Sequence, residues 1–290
     1  MENEIITFQK VLFLQTRYIF TERVVLQKNT WKELISFQNI KSYPDLPCPY
    51  CGSDKLTLDQ NSIQYRPLSG IALKDYIQKF SYMGEKNLKK QQVSNESAWI
   101  KLLRTFVAVS DEVAYKPHQF VAFFQCSLCS ESVTSAGLAK LPTKNDSTSP
   151  QIKVENFNPP VPMFELNSVT PKSINDELLL SFNYFHSDTS SSGSKLRRAI
   201  EKLCIELGYT EKNLHRNIEE LSKDYPREGG WLKSLKLVGN EATHSDRVTE
   251  DDLIDSFQIL EVVLDIFRQR HTEPLIHNTV KKLEHRLKQI

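Results

Sequence analysis

The chain has 290 residues, 39% of them hydrophobic and 25% charged, with a net charge of +1 at pH 7. That length is more than one compact core needs and suits two domains. The charge excludes a strong nucleic-acid or membrane field from the chain as a whole: residues 1–169 carry +3 and residues 170–290 carry −2.

No apolar run approaches the roughly 18 residues that span a bilayer. Met1-Glu2-Asn3-Glu4 is acidic and unlike the start of a signal peptide, so a cytoplasmic protein is expected. The five cysteines fall as two Cys-x-x-Cys pairs and a lone Cys204. In a reducing compartment that pattern points to a metal rather than to disulfides.

Residues 5–27 are rich in β-formers, among them Ile5-Ile6-Thr7-Phe8, Val11-Leu12-Phe13-Leu14 and Tyr18-Ile19-Phe20, and read as strands. Thr30-Trp31-Lys32-Glu33 has the capping-box pattern and predicts a short helix to about Phe37. Pro47-Cys48-Pro49-Tyr50-Cys51-Gly52 predicts a tight turn whose amides donate to thiolate sulfur. Cys126-Ser127-Leu128-Cys129 repeats it, between the apolar run Phe120–Phe124 and Glu131-Ser132-Val133-Thr134, read as two strands. Two such knuckles at hairpin tips predict that Cys48, Cys51, Cys126 and Cys129 form a structural four-cysteine zinc site with no open position. The alternative is four free thiols. His118 reads as a surface or strand residue.

The knuckles are separated by 74 residues, which need structure of their own. A helix over about 69–83 and a helix or strand over Ser97–Val107 are expected. Lys79, Lys86, Lys89, Lys90, Lys101 and Arg104 alternate there with Tyr76, Phe80, Tyr82 and Trp99. Such a cluster suits a phosphate backbone and stacked bases; the alternative is a solvated loop and a helix with core aromatics. The five prolines of residues 142–162 predict an extended polar linker.

The C-terminal part reads as helices. Thr170 and Pro171 open one to about Phe185. Ser190–Ser194 read as a turn, and a second helix follows over Lys195–Leu207 with Gly208 as its stop. Cys204 lies beside its apolar stripe and reads as a core residue. A third covers about Asn213–Lys223, and a short fourth holds Trp231, Leu235 and Val238. Gly239–His244 are expected between helices. Thr249 caps the next, with Leu253, Phe257, Leu260, Leu264 and Phe267 inward. The last, about Glu273–Gln289, carries Ile276, Val280, Leu283 and Leu287.

Five segments in this order resemble a known family: Ser181-Phe182-Asn183-Tyr184-Phe185, Lys195-Leu196-Arg197-Arg198-Ala199-Ile200-Glu201, Asn217-Ile218-Glu219-Glu220-Leu221, Gly239-Asn240-Glu241-Ala242-Thr243-His244-Ser245 and Thr249-Glu250-Asp251-Asp252-Leu253. Together they are similar to the bacterial domain of unknown function 4145, over roughly residues 165–270. That family resembles the HEPN superfamily of helical bundles, which holds metal-independent ribonucleases and non-catalytic interaction modules, often in phage-defence settings. HEPN nucleases place an arginine about five residues before a histidine. Here Asn240 and His244 match, and Gly239 stands where the arginine would be. Glycine cannot stabilise a phosphorane. Gly239 otherwise permits a close helix approach or a positive φ, Asn240 bonds backbone at the turn, and His244 bridges to Glu201. Arg197 and Arg198 either pair with Glu241 or Asp246 or meet a partner's phosphates.

The sequence thus predicts an α+β chain: a zinc-ribbon module with an N-terminal extension and an insertion (1–141), a linker (142–164), and a HEPN-like α-helical bundle (165–290). The resemblance favours a non-catalytic binding, sensing or adaptor component of a bacterial anti-phage defence or restriction-type system, with a protein partner or homodimer, possible nucleic-acid contact and no small-molecule cofactor. The alternatives are a metal-independent endoribonuclease using His244 and a single-strand nucleic-acid binder using residues 79–104.

Overall fold

The computed structural model describes residues 26–76, 115–142, 148–244 and 248–288. The chain is α+β: an N-terminal antiparallel sheet is followed by a helical bundle. The sheet takes the strands β1 (Gln38–Asn39), β2 (Leu56–Leu58), β3 (Gln64–Pro67), β4 (Tyr115–Cys126), β5 (Ser132–Pro142) and β6 (Gln151–Asn158) in the order β1-β6-β5-β4-β2, with β3 also pairing β4. The long β4–β5 hairpin is its centre. Along β4 the period of two places Phe120, Ala122, Phe124 and Cys126 inside and leaves Val121 and Phe123 exposed. The strand read at 120–124 is therefore the inner end of β4.

The predicted polar linker is corrected over residues 151–158. They form β6, paired along β5 from Thr134↔Asn158 to Lys140↔Gln151, with Ile152, Val154 and Phe157 buried. Pro150 and Pro159 bound this strand rather than interrupt it. Past β6, Val161, Met163 and Phe164 are buried too, and carry the core into the bundle.

The bundle consists of α2 (Lys172–Phe185), α3 (Thr189–Glu206), α4 (Leu214–Asp224), α5 (Pro226–His244), α6 (Glu250–Val263) and α7 (Asp265–Leu287). Before the sheet, α1 (Lys28–Glu33) packs against α6 through buried Trp31, with Lys32 pairing Asp251 at 2.9 Å and Lys28 pairing Asp255. The expected capping box at Thr30 does not form. The helix begins three residues earlier, with Gln27 in place of Thr30 at its N-cap, and the Thr30 hydroxyl donates to the Gln27 side chain. Residues 70–76 are helical, as expected for the start of 69–83. The strands read in residues 5–25, the rest of that helix and Ser97–Val107 lie outside the described residues.

Three further boundaries move. The turn read at Ser190–Ser194 is the first part of α3, because Asp188 caps it by accepting from the amides of Ser190 and Ser191. Gly208 ends that helix at φ +98°, as expected. Gly239–His244 lie inside α5, a single helix of 19 residues, rather than between helices. The last helix begins at Asp265 and runs through Pro274 instead of starting at Glu273. Thr249 and Asp252 do form a complete capping box at α6.

One apolar core runs through both parts. Aromatic edge-to-face contacts mark its course: Phe124–Phe157 at 5.4 Å, Phe157–His186 at 5.5 Å, Phe185–Phe257 at 6.2 Å, Phe182–Phe257 at 5.0 Å and Phe164–Phe182 at 5.2 Å. The sheet and the bundle are therefore packed on each other. Among the described residues no helix is long and apolar enough to cross a membrane.

Candidate functional site

Two sites emerge, one at the edge of the sheet and one at a helix crossing. The first is built by two turns with the same backbone plan. In one, the Gly52 amide donates to the Cys48 carbonyl and the Cys48 amide donates to Ser53. In the other, the Ser130 amide donates to the Cys126 carbonyl and the Cys126 amide donates to Glu131. Each turn closes on a left-handed residue four positions after its first cysteine: Gly52 at φ +72° and Ser130 at φ +62°. Glycine suits that position, and serine adopts it under strain. The two turns are fastened together, since Leu56 pairs with Cys126 on β4 and the Ser127 amide donates to the Lys55 carbonyl.

The result brings together the four cysteines that the sequence singles out. Their sulfurs all lie within 4.8 Å of one another, with Cys48–Cys129 at 3.7 Å and Cys51–Cys126 at 3.6 Å. A tetrahedron with metal–thiolate bonds of about 2.3 Å has edges of about 3.8 Å. A disulfide needs about 2.05 Å. The spacing therefore fits four ligands of one metal ion and fits no disulfide. Burial pushes the Cys48 thiol up to about 12. Burial also acts on Cys126, but donation from the Ser53 hydroxyl and from the amides of Cys129 and Leu128 outweighs it and brings that thiol down to about 6. Ser53 was not evident from the cysteine spacing, yet its hydroxyl lies 3.1 Å from Cys51 sulfur and 3.4 Å from Cys126 sulfur. His118 sits half-buried on β4 opposite Ala139 and Pro67, apart from the four sulfurs. Cys204 is a buried residue of α3, where burial raises its thiol to about 12.

The second site lies where α3 crosses α5. Small residues let the helices touch: a Cβ on Gly193 would stand 2.4 Å from the Ala242 Cβ, and one on Gly239 would stand 2.8 Å from the Arg197 Cβ. Of the two roles expected for Gly239, the close approach is realised. Its φ is not positive. An arginine at 239 would have to displace Arg197.

The polar groups are drawn into the same crossing. Arg197 donates through Nη1 to Asn240 Oδ1, and through Nε to Glu201 at 3.0 Å. Asn240 thus meets a side chain across the helix pair, rather than capping a turn. Arg198 and Lys195 both reach Glu177 on α2, at 3.1 Å and 3.2 Å. Glu177 is buried and was not singled out from sequence, although Lys195 and Arg198 at i,i+3 share the face that meets it. The carboxylates that Arg197 and Arg198 meet are therefore Glu201 and Glu177, on their own and the neighbouring helix. His244 closes α5. Its side chain lies outside the described residues, as do Asp246 and the basic cluster with Lys89 and Lys90.

Residues 181–289 match the family DUF4145, a domain of unknown function. The match starts within α2 and takes in the helix crossing and α7. No curated protein and no solved structure matches the chain.

Proposed function

With residues 181–289 a DUF4145 domain, we propose that the chain is a non-catalytic binding or sensing component of a bacterial anti-phage defence or restriction-type system, stabilised by a structural zinc ion and working in the cytoplasm. Four thiolates favour a soft or borderline ion, and a complete set of four cysteines leaves zinc no open position for chemistry. Cys48, Cys51, Cys126 and Cys129 would hold it, joining the two turns. The defence setting follows from the likeness of this family to HEPN bundles.

The observation that carries the non-catalytic reading is the occupation of the helix crossing. The space beside Gly239 is filled by the stem of Arg197, and the Arg197 guanidinium is held by Asn240 and Glu201. A phosphate-binding cation must be free to meet its substrate. This one closes a seam between helices. The test is cleavage of single-stranded and structured RNA by purified, zinc-loaded protein in buffer with no added divalent metal and no chelator, beside His244→Ala, with circular dichroism confirming that both proteins are folded. Neither protein is expected to cut. Cleavage by the wild type that His244→Ala abolishes would overturn the reading and make the chain a metal-independent ribonuclease.

A further inference from the structure

The far end of α7 stands apart from the rest of the bundle. Ile266 and Phe267 anchor its first turn, and every residue from Gln269 to Lys288 is exposed. The nineteen helical residues from Gln269 to Leu287 extend over about 29 Å. Helices in proteins draw most of their stability from packing of an apolar face rather than from propensity. This stretch also contains Pro274, which removes one backbone bond. The apolar face exists: Ile276, Val280, Leu283 and Leu287 are 58%, 43%, 48% and 62% exposed. Their 4-3-4 spacing is the d-a-d-a pattern of a two-stranded coiled coil. The open surface beside it is formed by Gln269, Thr272, Glu273, Ile276, His277 and Val280, all on α7 itself.

We propose that this stripe pairs with the same stripe of a second copy, as an antiparallel helix pair. This rests on the reading of the chain as a binding component and names its first partner. The stripe is self-complementary in that arrangement. Ile276 meets Leu287 of the second copy, and Val280 meets Leu283, so each large side chain faces one of its own kind in both directions. The flanking e positions are His277 and Glu284. In an antiparallel pair these positions face each other, so each imidazole lies beside a carboxylate of the second copy, twice by symmetry. A parallel pair would set Thr279 against Glu284 and Thr272 against His277, with no such match. A seam of four apolar residues per copy belongs with the weak interfaces, below about 1,200 Å² in total, and the expected dimer is a micromolar one.

The experiment is sedimentation of the full chain over a concentration series, with three variants. Wild type is expected to pass from monomer to dimer in the micromolar range. Val280→Glu combined with Leu283→Glu alters only exposed positions. It is expected to stay monomeric with an unchanged melting temperature. His277→Glu sets like charges together and is expected to raise Kd at least tenfold, and adding Glu284→Lys is expected to restore the dimer. A wild type that is monomeric throughout overturns the proposal. So does a dimer that survives the double glutamate variant, because its interface then lies elsewhere. If deletion of residues 1–25 turns a monomer into a dimer, those residues are the occupant and the second copy is not. Failure here leaves the cleavage assay and its reading of the helix crossing untouched.

Discussion

Replacement of Cys126 by serine is expected to abolish the cooperative thermal transition of the whole chain. Structural zinc contributes on the order of 10 kcal/mol of apparent free energy in small zinc modules, which is comparable with the roughly 5–15 kcal/mol that separates a folded domain from its unfolded chain. Cys126 is the last residue of β4, and its partner Leu56 is a fully buried residue of the same core that continues through Phe124 and Phe157 into the bundle. A lost ligand would therefore reach beyond its own turn. Cys204→Ala is the control. It removes a buried thiol far from the cluster and is expected to lower stability by about 1–2 kcal/mol while metal content stays the same. Calorimetry together with elemental analysis checks both variants. Wild-type protein should carry one equivalent of zinc, and strong chelation should release it with four thiols newly open to alkylation. A Cys126→Ser protein that melts like the wild type would refute the structural role of the site.

The second large effect concerns acid. His186 ends α2 and sits among the rings of Trp31 at 5.7 Å, Phe157 at 5.5 Å and Phe185 at 5.1 Å. Burial, and secondarily the charge of Lys153, lower its pKa to about 3. The unfolded chain binds this proton near pH 6.5. A depressed folded-state pKa means that the full stability is present above about pH 6.5 and is lost as the pH falls toward 3. The residue as a whole keeps part of its surface in solvent, so the loss expected by pH 4 is roughly 2 kcal/mol, less than complete burial would give. Urea denaturation at pH 7 and pH 4 measures it. His186→Phe keeps the ring packing without the proton, and is expected to show a smaller drop between those pH values by about that amount. An equal drop in both proteins would show that His186 does not set the acid sensitivity.

The four-cysteine cluster could be read from the sequence because it is local. Two Cys-x-x-Cys pairs, one with its glycine at the left-handed position, define each turn without reference to the rest of the chain. Helix faces were legible for the same reason: Ile174, Leu178, Phe182 and Phe185 follow the helical period and are all buried. What escaped depended on partners far away in sequence. The prolines of 142–162 look like a linker until β5 offers β6 a strand to pair with. The serines after Asp188 look like a turn until their amides find its carboxylate. Gly229, Gly230 and Gly239 lower the helix propensity of α5, yet Gly229 and Gly239 sit against Ser222 and Arg197, and that close packing carries the helix through them. Pro274 likewise suggests a helix start nearby, whereas α7 is already under way from Asp265. The role of Glu177 was hidden because Lys195 and Arg198 lie 18 and 21 residues further along the chain.

The central claim is that the stretch beginning at Gly239 serves a seam between α3 and α5, with Arg197 as its bolt. A double-mutant cycle of Arg197→Ala and Asn240→Ala, followed by denaturant unfolding, tests this most directly. Alanine keeps the Arg197 Cβ that packs on Gly239, so the cycle isolates the polar contact. The account predicts that each single variant loses about 1–2 kcal/mol and that the pair is coupled by about 1 kcal/mol. Single losses that simply add, with coupling below about 0.3 kcal/mol, would contradict it and leave Arg197 free for a ligand.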